Sequence, residues 1–157
     1  MDFLFEGRGS SRTLNSYERV KEFHLAFNHP VGKEALIPTS DRVALRLALI
    51  LEEAAELAEA QGYDGNVVRH ATNVLFETGI VEHGDLVAVA DALGDLDYVV
   101  NGAALEYGIN LPEVTKEIHR SNMTKLGSDG KPIYREDGKI LKGADYEPPN
   151  LSPVLGL

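Results

Sequence analysis

Three glutamates, Glu52, Glu53 and Glu56, fall close together in the run Leu51 to Ala58, which is otherwise Ala and Leu. On an α-helix Glu52 and Glu56 are i,i+4 and Glu53 and Glu56 are i,i+3, so the three carboxylates share about one quadrant of its surface. Like charges at that spacing repel by roughly 0.2–0.5 kcal/mol per pair. A solvated acidic face tolerates such a cost, and that reading stays open. Against it, alanines rather than lysines separate the acids, and the cluster abuts the apolar stripe of its helix. Asp91 and Asp95 form a second i,i+4 pair, in a stretch dominated by Ala, Leu and Val. A helix that apolar is expected to be central, where a carboxylate is costly unless neutralised. Packed antiparallel, the two helices would gather Glu52, Glu53, Glu56, Asp91 and Asp95 into one oxygen-only site, the donor chemistry of Mg²⁺ or Mn²⁺. A di-iron bundle would need Glu-x-x-His pairs, and no glutamate here has a histidine three residues on. Asp97 lies on a different face from Asp95.

The charge distribution supplies a counterpart. The 157 residues carry 15 Lys+Arg and 25 Asp+Glu, a formal charge of −10. That balance argues against a nucleic-acid backbone as partner, since such proteins present a basic face. Between Lys116 and Lys142, however, seven bases face four acids, a net charge of +3. The segment is either a tail with solvated lysines or a basic clamp for a small anion beside a cation-holding acidic site. A Gly-x-x-x-x-Gly-Lys-Ser/Thr phosphate loop does not occur.

A hydrophobic fraction of 43% and a charged fraction of 25% are globular values and exclude wholesale disorder. The absence of cysteine excludes disulfides, thiolate metal sites and cysteine nucleophiles. No apolar run approaches the ~18 residues of a membrane span. Met1 to Glu6 lacks the basic start of a signal peptide. The expectation is a soluble, cytoplasmic protein without membrane or nucleic-acid partners.

The elements that must carry the acids are legible from period and punctuation. Residues 1–15 read as a flexible arm, 16–127 as a helical domain, and 128–157 as a hairpin and tail packed on that domain. From Ser16, the residues Tyr17, Val20, Phe23, His24 and Phe27 follow helical spacing. Thr39 or Ser40 can cap a second helix that runs to about Gly62. Val67 to Leu75 suit a shorter one. Asp85 is the expected cap of the run 86–107, which ends at Gly108. Asn110-Leu111-Pro112-Glu113 starts a last helix, with proline in its first turn, ending near Gly127. Asp137-Gly138 between Pro132–Glu136 and Lys139–Lys142 predicts a β-hairpin. The tail from Tyr146, with three prolines, is expected to run extended.

Leu51-Glu52-Glu53-Ala54-Ala55-Glu56-Leu57, Ala90-Asp91-Ala92-Leu93-Gly94-Asp95-Leu96-Asp97-Tyr98 and Ser121-Asn122-Met123-Thr124-Lys125 together resemble the MazG-like all-α NTP pyrophosphohydrolases. That superfamily includes dimeric dUTPases and phosphoribosyl-ATP pyrophosphohydrolase. The resemblance covers about residues 16–150, including Val20 to His24 and the tail around Asp129-Gly130-Lys131, Lys139 and Lys142. It implies an all-α bundle of four to five helices, here with the short C-terminal β-hairpin and extended tail.

The resemblance implies metal ligands from Glu-Glu-x-x-Glu on one helix and Glu-x-x-Asp on another. Glu52, Glu53, Glu56 and Asp95 match. The second motif's glutamate falls at Ala92, and Asp91, one residue earlier on the same face, is the candidate substitute. The connection between the motifs is also longer than usual. By the same resemblance, Glu53, Glu56, Asp91 and Asp95 hold Mg²⁺ (or Mn²⁺), Glu53 is essential to catalysis, and Glu52 is the base or a ligand to a second ion. Asn122 and Lys125 contact the phosphates or sugar, Tyr98 flanks base or phosphates, and Lys139 and Lys142 complete the clamp. Helix-capping roles for Asn122 and Lys125 and a core role for Tyr98 are the bland alternatives. His24 and His119 are read as packed or surface residues.

The implied reaction is hydrolysis of a (d)NTP, dUTP-like or non-canonical, to (d)NMP and pyrophosphate by a homodimer or dimer of dimers. Phosphoribosyl-ATP hydrolysis is the alternative within the same chemistry. A nucleotide-binding regulatory dimer with weak turnover, or a purely structural helical dimerisation module, are the alternatives outside it.

Overall fold

A computed structural model describes residues 13–79, 84–135 and 140–157. Their regular structure is helical: α1 (Ser16–Ala26), α2 (Ser40–Ala60), α3 (Asn66–Thr78), α4 (Leu86–Glu106), α5 (Leu111–Met123) and α6 (Ser152–Leu155). The starts of α2, α4 and α5 are those the sequence predicts, whereas the cap of α1 falls at Asn15, a residue the sequence reading places in the arm. Asn15 closes a capping box on α1, its Oδ1 accepting from Glu18 N–H at 2.9 Å while Glu18 Oε2 accepts from Asn15 N–H at 3.0 Å. Asp85 Oδ1 accepts from Val87 N–H at 2.8 Å at the head of α4. Thr39 is the N-cap of α2, without a side-chain bond. Pro112 sits in the first turn of α5, where a missing N–H costs nothing. None of these helices is long and apolar enough to cross a membrane.

The chain divides into two units, Met1–Gly32 with Asp97–Leu157, and Lys33–Leu96, so that one division falls inside α4. In the first unit α1 packs on α5. Phe27 is fully buried and stacks on Phe23 with centroids 4.2 Å apart. Burying a side chain of that size stabilises by roughly 1.5–3 kcal/mol. The Tyr134 hydroxyl donates to the Phe27 carbonyl. Arg19 is buried between the helices, its Nη1 donating to Pro112 O at 3.2 Å and Thr115 Oγ1 at 3.1 Å. His119 Nε2 meets Glu22 Oε2 at 3.2 Å on the same helix pair.

In the second unit α2 packs on α3, and the contact is made by small residues. Ala55 is fully buried. A Cβ placed on Gly65 would lie 2.7 Å from the Ala55 carbonyl oxygen and 2.6 Å from Glu59 Cγ. Only a glycine lets the chain enter α3 that close to α2.

Two sequence expectations need correction. No β-hairpin is formed among the described residues: Tyr134 and Ile140 make one isolated antiparallel bridge, with Leu141 N–H donating to Ile133 O at 2.8 Å. The turn Asp137-Gly138 lies outside the described residues. Two arms of five and four residues without a third strand are marginal, and the residues that flank them are engaged with the turn after α5. Lys131 O accepts from Gly127 N–H at 2.8 Å, and Gly143 packs against the Leu126 carbonyl. The tail, expected to run extended throughout, adds the single turn α6, closed by Gly156 at φ 73°. The expected arm lies largely outside the described residues, and Asn15, its last residue, belongs to the α1 cap.

The most apolar helix is the least covered. Every residue of α4 from Val87 to Asn101 is exposed, and among the described residues α4 has no helix packed on it as α3 is on α2. The expectation that α4 is central is not met within one chain. Hydrophobic period marks a face that wants burial, but not whether its cover comes from the same molecule.

Candidate functional site

The acid cluster of α2 is presented as the spacing dictates. Glu52, Glu53, Glu56 and Glu59 are all exposed, and Ala55 between them is the residue that faces α3. Their protein partners divide the four acids into two classes. Glu59 takes a two-pronged contact from Arg69 of α3, with Nη1 at 2.5 Å from Oε1 and Nη2 at 3.1 Å from Oε2. The same guanidinium donates through Nε to Glu52 Oε1 at 3.4 Å. Glu53 and Glu56 have no hydrogen bond or ion pair among the described residues, and neither have Asp91 and Asp95 on α4.

This electrostatic arrangement shows in the ionisation of the pair. The hydrogen bonds that Arg69 donates to Glu59 lower the Glu59 carboxyl from its ordinary value and raise Arg69 above its own.

The donor set suits a hard divalent cation: carboxylate oxygens only, the four proposed ligands free of competing bases. Within one chain, however, the expected convergence does not occur. Among the described residues no three Asp, Glu or His side chains are grouped as a metal site. Glu52, Glu53 and Glu56 share a face of α2, and Asp91 and Asp95 share a face of α4, as two separate acidic patches.

The candidate substrate residues are placed as follows. Asn122 is half-buried in the last turn of α5, and Lys125 follows in the turn beyond it, its N–H donating to Asn122 O at 3.2 Å. That turn is held by the tail: Ser121 Oγ and Thr124 Oγ1 donate to Glu147 O at 2.7 and 3.3 Å, and Arg120 Nη1 contacts Glu147 Oε2 at 2.6 Å. Glu117 accepts from Arg120 at 2.9 Å and from Asn150 N–H at 2.8 Å, which pulls its carboxyl down to about 2. Lys142 lies over the Tyr146 ring, its Nζ 4.4 Å from the centroid. Lys139 lies outside the described residues. Tyr98 is 81% exposed on α4, which excludes the core role within one chain.

Sequence reasoning passed over Arg69, Glu59 and Gly65. The signal was present: Glu59 is seven residues, two helical turns, past Glu52 and so on the same face.

A family profile described as phosphoribosyl-ATP pyrophosphohydrolase matches residues 20–122, a span that contains both acidic motifs and Asn122. Among solved structures, a provisionally assigned NTP pyrophosphohydrolase from Exiguobacterium sp. 255-15 is similar, at 29% identity and a TM-score of 0.71, over 92% of this chain and 94% of that one. The uncharacterised protein L479 of Acanthamoeba polyphaga mimivirus is 27% identical over 142 residues, 88% of this chain and 46% of the relative. The chain therefore spans about half the length of the curated relative it matches.

Proposed function

The chain belongs to the phosphoribosyl-ATP pyrophosphohydrolase family, and from that premise we propose that it is a Mg²⁺- or Mn²⁺-dependent nucleoside triphosphate pyrophosphohydrolase. The observation that carries the reading is the Glu-Glu-x-x-Glu face of α2, in which Glu52 and Glu59 engage Arg69 while Glu53 and Glu56 make no hydrogen bond or ion pair among the described residues.

Glu53 and Glu56 of α2 and Asp91 and Asp95 of α4, separate patches within one chain, would hold the cation where assembly brings the two patches together. When bound, it would offset phosphate charge and lower the pKa of a coordinated water. Glu52 takes the proton of the attacking water on the oxygen that Arg69 does not hold. Asn122 and Lys125 contact the phosphates or sugar, Lys139 and Lys142 add charge to the clamp, and Tyr98 offers a ring to the base or phosphates. The products are a nucleoside monophosphate and pyrophosphate. A dUTP-like or non-canonical (d)NTP is the proposed substrate, and phosphoribosyl-ATP is the second reading, favoured by the description of the matching family itself.

The working unit is proposed to be a homodimer or dimer of dimers in the cytoplasm. The support is α4: Val87, Val89, Leu93, Leu96, Val99 and Val100 are exposed in the single chain. A second copy is a partner every chain has.

The test is pyrophosphate release from canonical and modified (d)NTPs and phosphoribosyl-ATP, with Mg²⁺, Mn²⁺ or EDTA, for wild type and Glu53→Gln. Metal-dependent release that the variant loses is expected, and the best substrate names the branch. Absence of release from every substrate by a folded wild type rejects hydrolysis and favours the regulatory alternative.

A further inference from the structure

Between Arg46 and Lys116 the chain holds thirteen Asp and Glu and a single Lys or Arg, which is Arg69. That one cation lands on the acid cluster of α2. Its position is built by three features of the second unit. Arg69 follows Gly65 by four residues, its N–H closing the first turn of α3 on Gly65 O at 3.2 Å, so both residues share the face toward α2. Gly65 in turn lies against the stem of Glu59, where a Cβ would meet Cγ at 2.6 Å and Cδ at 2.8 Å. Glu59, confined in this way, grips both terminal nitrogens of the guanidinium, at 2.5 and 3.1 Å. The remaining nitrogen of the guanidinium, Nε, donates to Glu52 Oε1, 3.4 Å away.

We propose that Arg69 is a positioning residue for Glu52, held by Glu59 so that one oxygen of Glu52 is tied to Nε and the other is left for the reaction. This rests on the pyrophosphohydrolase reading. A lone glutamate on an exposed helix face samples several rotamers, and fixing it costs entropy that a preformed hydrogen bond has already met. Lysine is a poor substitute, because its three donors radiate from a single nitrogen and cannot reproduce the planar fork that spans both oxygens of Glu59 while a separate nitrogen reaches Glu52.

The experiment compares wild type, Arg69→Gln, Arg69→Lys, Glu59→Gln, Glu52→Gln and the double variant Glu52→Gln/Arg69→Gln. Steady-state pyrophosphate release is measured on the best substrate, and Mn²⁺ binding is followed by electron paramagnetic resonance. The Arg69 Nε–H resonance is followed in metal-free protein. Arg69→Gln, Arg69→Lys and Glu59→Gln are each expected to lower kcat roughly 10–100-fold, the range for outer partners of a reacting carboxylate, with KM and Mn²⁺ binding within about twofold of wild type. Arg69→Gln added to Glu52→Gln is expected to cost nothing further, since Arg69 acts through Glu52. The Nε–H resonance should move in Glu52→Gln.

Full additivity of the two losses, or a Nε–H resonance indifferent to Glu52→Gln, overturns the proposal. A raised KM at unchanged kcat also overturns it and puts Arg69 on the substrate. An active wild type with unaffected Arg69→Gln rejects this role alone, whereas an inert wild type rejects the hydrolase reading and this role with it.

Discussion

Residue 65 and the carbonyl of Ala55 approach more closely than any side chain at 65 would allow, since a Cβ there would sit 2.7 Å from that oxygen. The backbone of Gly65 is at φ −64°, which alanine adopts without strain. Gly65→Ala therefore isolates the steric term. On entropy alone it would stabilise by about 0.4–1 kcal/mol. Overpacking against a backbone atom costs about 1–3 kcal/mol, and the net is expected to be a loss. A lower denaturant midpoint at unchanged m-value is the measurement.

Asp91 and Ala92 allow a sharper question about the second acidic motif. If Asp91 does the work of the glutamate the family places at 92, Asp91→Ala weakens Mn²⁺ binding at least tenfold, and adding Ala92→Glu to that variant recovers most of it. Titration of Mn²⁺ against the three proteins decides. Binding unchanged in Asp91→Ala would remove Asp91 from the ligand set.

The tail strap is acid-sensitive, and its sign is fixed. Glu117 is held at about 2 by the Arg120 hydrogen bonds and then by Asn150 N–H, below the ordinary ~4.3 of an unfolded glutamate. A carboxyl lowered on folding lends its stabilisation in full above about 4.3 and loses it as pH falls toward the folded value. The Asn150 amide should be protected from exchange at neutral pH and lose that protection on acidification through this window. Glu117→Gln should lose it at every pH.

A charge on α4 tests the proposed assembly. Val99 is 60% exposed in the single chain. Val99→Arg would bury an unpaired guanidinium if a second copy covers that face, at a cost of several kcal/mol. Light scattering behind size exclusion should show wild type as a dimer or tetramer and the variant shifted to monomer by tenfold or more in dissociation constant. An unchanged mass would move the interface off this part of α4.

How far the sequence reached depended on the range of the interaction. Capping and period are local, so Asp85 and Pro112 marked helix starts where they are observed. The three-glutamate face needed only the helical repeat. Asp137-Gly138 is also a local signal, but extending its arms into strands needs a third strand beside them, and among the described residues they form only an isolated bridge. Arg69 escaped for the same reason: its meaning lies across the α2–α3 contact, ten residues from Glu59 and seventeen from Glu52. The exposure of α4 was the least legible, because a periodic pattern records that a face is apolar and is silent on which molecule covers it.

If a second copy covers that helix as proposed, the existence of the folded protein is tied to how much of it there is. When burial is completed by a second copy, folding and association are one reaction, and mass action sets the melting temperature. Dilution then works as a denaturant. The transition should move to lower temperature with each tenfold drop in protein, so any comparison of variants has meaning only at a stated concentration.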